Sequence, residues 1–306
     1  METTKNLLKG TKPPSLNSRR VSTIEAHLHM SIPNSSTGHE IPISRQEQPG
    51  LQSDMKGPDP VSDKLPTEDE GYQTYKAAGK LFGKKATITG GDSGIGRAIA
   101  ILYAMEGAHA LINYLPEEES APGDKEAIRK AIVDEALKQM GGINILVNNA
   151  AYQMMKHDIS ELSEEQWHQT FDTNIHSQYY LAKYTLPHLS RGDTIINCAS
   201  INAYIGRPDL LDYITTKGAI VSFTRALSNQ QISKGIRVNA VCPGPVWTPL
   251  IPSTMDDEAQ EQFTSPMGRP AQPSEIATCF VFLASQDSSM ISGQSLHPNG
   301  GVVVNS

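Results

Sequence analysis

The sequence predicts an α/β fold, a doubly wound parallel sheet in a single domain that follows a long N-terminal arm. Three observations lead there. From Lys84 onward, short apolar runs alternate with helical patterns, as parallel strands joined by crossover helices require. The first of these runs leads straight into a glycine-rich turn and a helix, "KATITGGDSGIGRAIA". Residues 1–80, by contrast, are rich in Pro, Ser, Gly and charge and show no sustained period.

The elements follow in order. "KATITGG" and "HALINY" read as buried strands on either side of the helix "GRAIAILYAMEG". "NILVNNA", "DTIINCAS", "GIRVNAVCPG" and the short "GQSLHPNGG" supply four more strands. "SEEQ", Ser163 to Gln166, reads as a capping box that opens a long helix. Ile128, Ile132, Ala136 or Leu137, and Met140 form the apolar face of another. The helix that begins in "LLDYITTKGAI" should stop before Gly235.

The chain has 306 residues and a formal net charge of −7, which argues against unaided binding to nucleic acid or an anionic membrane. It has no run of about 18 apolar residues, so no membrane span is expected. Cys198, Cys242 and Cys279 are far apart, an odd and sparse set that fits a reducing, cytoplasmic setting. The extreme N-terminus is basic and rich in Ser and Thr, like a transit peptide, but Pro13 and Pro14 interrupt any amphipathic helix there. Residues 1–80 are expected to form a mostly disordered arm, since such a composition buries too little apolar surface to offset ordering.

Two constellations carry chemistry. Glycines at 90, 94 and 96 allow a tight turn, close approach of backbone to phosphate and close helix-to-strand packing. The helix that follows offers amide donors and a partial positive charge to a pyrophosphate. Tyr213 and Lys217 stand four residues apart, hence on one helix face. An ammonium can lower a phenol's pKa by about one to three units and make it a proton donor and acceptor; the same spacing also suits an ordinary solvated pair.

Together these motifs resemble the short-chain dehydrogenase/reductase superfamily over residues 84–301. The resemblance rests on T-G-x-x-x-G-I-G at Thr89 to Gly96, N-N-A at Asn148, Asn149 and Ala150, and Asn174 in "DTNIH". It continues with Ser200, the Y-x-x-x-K of Tyr213 and Lys217, and the P-G-x-x-x-T of Pro243, Gly244 and Thr248. "YLPEE", "NNAAYQM" and "PGPVWTPLIP" further resemble its glucose/ribitol dehydrogenase-like branch. The resemblance implies a Rossmann-like domain over 81–306, a small carbonyl or alcohol substrate, and a homo-oligomer, tetramer or dimer.

The resemblance also implies roles. Tyr213 exchanges a proton with the substrate oxygen, Ser200 polarises it, Lys217 lowers the tyrosine's pKa and bonds the nicotinamide ribose, and Asn174 holds a relay water. Gly90, Gly94, Ile95 and Gly96 would meet the pyrophosphate, Asn149 the adenosine ribose side, and Val246 and Thr248 the carboxamide. At the end of the second strand stand Asn113 and Tyr114, with nothing acidic before Glu117, which favours NADP(H) and leaves NAD(H) possible. Residues 248–270 should form a lid, with Met154, Tyr204, Trp247 and Leu250 as candidate pocket lining.

One connection departs from the family. Leu115 to Ile143 spans roughly 29 residues, where the family places a helix, a strand and a second helix, and one crossover alone takes about 30 residues. One helix and the outermost strand of the first half are therefore expected to be absent, with Asp124 matching the family aspartate beside the adenine or capping the next helix. Two alternatives to an oxidoreductase stay open: a weakened pseudoenzyme or binding scaffold, and a non-redox isomerase or cyclase that uses the same site.

Overall fold

Strands with apolar residues at successive positions must be covered on both faces, and this requirement organises the chain. The computed structural model describes residues 41–114 and 125–304. A small antiparallel hairpin comes first, β1 (Lys64–Pro66) with β2 (Tyr72–Thr74). Then come β3 (Lys85–Thr89), α1 (Gly94–Met105), β4 (His109–Asn113), α2 (Lys125–Met140) and β5 (Ile145–Asn148). The second half holds α3 (Glu164–Phe171), α4 (Ser177–Thr185), β6 (Thr194–Cys198), α5 (Asn202–Ile205), α6 (Leu211–Gln231) and β7 (Arg237–Val241). Last are α7 (Leu250–Thr254), α8 (Asp257–Glu261), α9 (Pro273–Ala284) and β8 (Ser295–Leu296).

The main sheet has six parallel strands in the order β4-β3-β5-β6-β7-β8. Alternate side chains serve opposite layers. Ile145, Val147 and Ile196 pack with α1 and α9 around Ile99, Leu102 and Phe280. Leu146, Ile195 and Val238 pack with α2, α4 and α6 around Val133, Leu181 and Leu227. Among the described residues β4 is the edge strand, and the outermost strand, expected to be missing, is absent from them. Asp124 and the join near Ser120 to Pro122 lie outside the described residues.

Several expectations change in detail. Val133 is fully buried in α2, whereas Ile128, in the first turn, is 50% exposed. The Ser163 hydroxyl accepts from Gln166 N, but the Gln166 side chain turns away to Met154 O and Asp212. Only half of the capping box forms. The helix that follows is broken by a π turn at Asp172–His176. α6 runs to Gln231 and the chain turns at Gly235 with φ 79°. β8 ends before Pro298, whose carbonyl accepts from Gly244 N.

The arm differs most. Its described part, residues 41–80, lies packed on the domain, so the expectation of a mostly disordered 1–80 does not hold there. The segment docks mainly through amides, with Met55 buried and Tyr75 packed against the core. Trp247 Nε1 donates to Pro58 O at 3.1 Å, Val61 N to Gln272 Oε1 at 3.0 Å, and Ser274 N to Val61 O at 3.0 Å. Glu106, fully buried at the end of α1, accepts from Tyr75 Oη, Ala78 N and Lys80 N. Among the described residues no helix is long and apolar enough to cross a membrane.

Burial pushes the Glu106 carboxyl up, but its three donors outweigh burial and hold it below its ordinary 4.5. A depressed pKa contributes stability above the unfolded value that is lost as pH falls through the folded one. Glu106→Gln should therefore cost about 1–3 kcal/mol at pH 7. In urea titrations the gap to wild type should close as the pH drops below that carboxylate range.

Candidate functional site

All six strands of the main sheet are parallel, so the segments that leave their C-terminal ends gather at one edge. There the glycine turn follows β3. Gly90 adopts φ 63°, and Gly90 N and Gly91 N both donate to Asn113 O, at 2.7 and 3.3 Å. Asn113, the residue expected to choose the cofactor, thus stands beside the turn at the end of β4. Gly96 is indispensable on packing grounds, because a Cβ there would lie 1.9 Å from Gly90 O. Gly94 sits against Thr248, which a Cβ would meet at 3.0 Å.

A threonine and an asparagine latch this turn to the neighbouring strand. Thr89 Oγ1 accepts from Asn149 N and Ala150 N, each at 3.0 Å. Asn149 Nδ2 donates to Thr89 O at 3.0 Å and Gly90 O at 3.2 Å. Asn149 was expected at the adenosine ribose; its amide instead holds the glycine turn. The cradle fits a dinucleotide: its glycines leave no room for side chains, and Ser93 makes no side-chain cap over the first turn of α1. Such a turn leaves its amides without intrahelical carbonyls, and Ile95 and Gly96 belong to it.

Past β7, Val246 forms an isolated bridge to Ala271. The bridge uses Trp247 N to Ala271 O and Ala271 N to Pro245 O, so Val246's own amide and carbonyl face the other way. Its side chain joins the core. Trp247 is 2% exposed beneath the arm, and the Tyr204 hydroxyl donates to Ser295 Oγ. Both leave the expected pocket lining.

The four catalytic candidates converge on the same edge. Ser200 follows β6 and is buried; its Oγ accepts from Asn202 N at 3.1 Å, at the first residue of α5, and its hydroxyl is close enough to Tyr213 to act on the phenol. Tyr213 and Lys217 lie one turn apart on α6, with Lys217 Nζ 5.2 Å from the centre of the Tyr213 ring. Lys217 is 1% exposed, and Nζ donates to Cys198 O at 2.8 Å. The ordinary solvated pair is excluded by burial. Asn174 occupies the π turn, fully buried.

Electrostatics run partly against expectation. Burial drives the Tyr213 phenol above its ordinary 10.0, with Cys198 adding to the rise and the Ser200 hydrogen bond pulling down. The lowering expected from Lys217 is not what governs the phenol here, because desolvation of the buried phenolate dominates. Burial likewise pushes the Lys217 amine down. The side chain of Asn174, in the π turn, is itself engaged by protein groups. Its Oδ1 accepts from Tyr152 N at 2.7 Å, and its Nδ2 donates to Tyr152 O at 2.8 Å and Thr216 Oγ1 at 3.0 Å.

Sequence reasoning did not single out Asp212. Buried beside Tyr213, it accepts from Tyr213 N at 2.8 Å, Thr170 Oγ1 at 2.6 Å and Gln166 Nε2 at 3.1 Å. Its position next to the tyrosine in "LLDYITTKGAI" was the available signal. The Tyr213 ring packs with Ile251, Met255 and Ala259 of the lid, with Met155 and Phe263 alongside. The site is thus a polar triad roofed by apolar side chains.

Comparison with known proteins agrees with this geometry. The family described as "Enoyl-(Acyl carrier protein) reductase" matches residues 90–303. The "Glucose and ribitol dehydrogenase" of Daucus carota is 46% identical over 88% of this chain and 99% of its own. The "NADPH-dependent aldehyde reductase 1, chloroplastic" of Arabidopsis thaliana is 45% identical over 76% of this chain and 90% of its own. A short-chain dehydrogenase from Burkholderia cenocepacia, solved in complex with NADP, superposes with a TM-score of 0.66 at 25% identity. That match covers 72% of this chain and 98% of that one.

Gly96→Ala forces a Cβ onto a backbone oxygen that cannot move aside. The variant should lower Tm and show no NADPH fluorescence enhancement at concentrations that saturate the wild type.

Proposed function

The chain belongs to the short-chain dehydrogenase/reductase superfamily, and within it we propose an NADP(H)-dependent oxidoreductase that interconverts a small carbonyl and its alcohol. One observation carries the reading: Ser200, Tyr213 and Lys217 converge in a buried site at the same sheet edge as the glycine turn. Thr248 links the two halves. It touches Gly94 on one side and leads into α7 on the other, whose Ile251 packs on Tyr213.

The bound nicotinamide supplies or accepts the hydride. In reduction, Tyr213 gives its phenolic proton to the carbonyl oxygen, and Ser200 Oγ holds that oxygen with a second hydrogen bond. In oxidation the same phenol takes the alcohol proton. Burial keeps Tyr213 protonated, which suits the donor role at neutral pH. Lys217, now bonded to Cys198 O, would hold the nicotinamide ribose. The Ile95 and Gly96 amides would hold the pyrophosphate, and the outward backbone of Val246 the carboxamide.

NADP(H) is preferred because β4 ends at Asn113, with Tyr114 just after it. A carboxylate there would bind the free 2′-hydroxyl and repel a 2′-phosphate. The relative named for NADPH and the neighbour solved with NADP support the same choice. Met155, Ile251, Met255 and Phe263 around Tyr213 favour a moderately apolar carbonyl over a large charged one. A binding scaffold without turnover would lack the response described next.

Tyr213→Phe removes the exchangeable proton and little volume. With a panel of small aldehydes and NADPH, kcat should fall by about 10²–10⁴-fold, while the NADPH Kd stays within about threefold. Unchanged turnover in this variant would rule out proton transfer by Tyr213.

A further inference from the structure

The segment Ser44–Gln52 crosses the sheet edge where the site lies, and Ser44, Gln46, Gln48 and Gln52 are each hydrogen-bonded to a different part of it, with Gly50 closely approached. Ser44 N donates to Gln260 Oε1 at 3.1 Å, and Gln260 Nε2 returns a bond to Ser44 O at 2.9 Å. Gln46 N donates to Pro252 O at 3.0 Å in α7. Gln48 Nε2 donates to Gln153 O at 2.8 Å, in the loop after β5. At Gly50 a Cβ would lie 2.6 Å from Pro249 O. Gln52 Oε1 accepts from Gly94 N at 3.0 Å, at the first residue of α1.

The last contact is the informative one. Gly94 N belongs to the turn whose amides the glycine motif directs at a phosphate, and here it is held by a neutral side-chain carbonyl. A phosphate oxygen is the stronger acceptor for an amide at a helix N-terminus, so Gln52 is seated where it can be displaced. A second observation points the same way. Both amide atoms of Gln46 are buried without a hydrogen-bond partner among the described residues, so this seating leaves the segment incompletely satisfied.

We propose that Gln52 is an affinity-determining residue of the cofactor site, whose side-chain carbonyl competes with the cofactor's pyrophosphate for the Gly94 amide. This rests on the cofactor reading above. On binding, the pyrophosphate takes the amide, Gln52 leaves it, and the segment Ser44–Gln52 loosens from the edge. The arm is therefore a built part of the site, and the intrinsic affinity of the cradle exceeds what the intact chain displays.

Fluorescence titration of the full chain with NADPH, with Tm as the check on folding, tests this. Gln52→Ala removes the competitor and should tighten the Kd by about 3- to 10-fold, the worth of one net hydrogen bond. Gln52→Glu places a carboxylate at the same amide and should weaken it by about tenfold or more, since the anion suits the helix terminus and repels pyrophosphate. In the wild type, amide hydrogen exchange over residues 44–52 should quicken when NADPH binds. Unchanged or weaker binding by Gln52→Ala, no loss in Gln52→Glu, or slower exchange of that segment would each overturn the proposal. Absence of NADPH and NADH binding by the wild type would instead overturn the cofactor reading itself.

Discussion

The site depends on one latch between two strands. Thr89 closes β3 and Asn149 follows β5, and four hydrogen bonds between these residues and their neighbours fasten the two strand ends together. This is where the strand order reverses, with β4 on one side and β6 to β8 on the other. At such a reversal the crossover helices leave to opposite faces and a crevice opens outside the carboxyl ends. Thr89 and Asn149 hold that crevice to a fixed width. Without them the glycine turn would have no fixed position relative to Ser200 and Tyr213, which arrive on later strands and helices.

A second constraint is the charge inside. Lys217 is almost fully buried, with a backbone carbonyl as its acceptor and no carboxylate in its bonding among the described residues. Burying an ammonium without an opposite charge is unfavourable, and its pKa is pushed down accordingly. Asp212, one residue before Tyr213, is a buried carboxylate held by neutral donors. A fold selected for stability alone would pair such charges or omit them. Asp212 instead holds the backbone amide of Tyr213, fixing the start of α6 beside the site.

Much of this was legible in the chain. The strands announce themselves as apolar runs, and the four-residue spacing of Tyr213 and Lys217 does place both on one helix face. The shortened connection after β4 was readable from length, since a chain of fixed reach cannot form two crossovers in the space of one. Other features have no periodic signal. Asn149 belongs to a motif read as ligand-binding, and only the coordinates show that its amide holds the turn. Residues 41–80 have no period, because they dock mainly through Gln and backbone amides whose partners lie far away in sequence. Ile128 had the right spacing but lies in the first turn of its helix, where the core does not reach it.

The central claim is that one crevice brings the pyrophosphate cradle and the Ser200–Tyr213–Lys217 group to a single cofactor. A crystal structure of the full chain with NADPH tests it most directly. The pyrophosphate should lie on the amides at the start of α1, the nicotinamide in contact with Tyr213, and Lys217 Nζ bonded to the ribose. Density for the cofactor away from the glycine turn, or a nicotinamide that never reaches Tyr213 while Lys217 stays on Cys198 O, would contradict it.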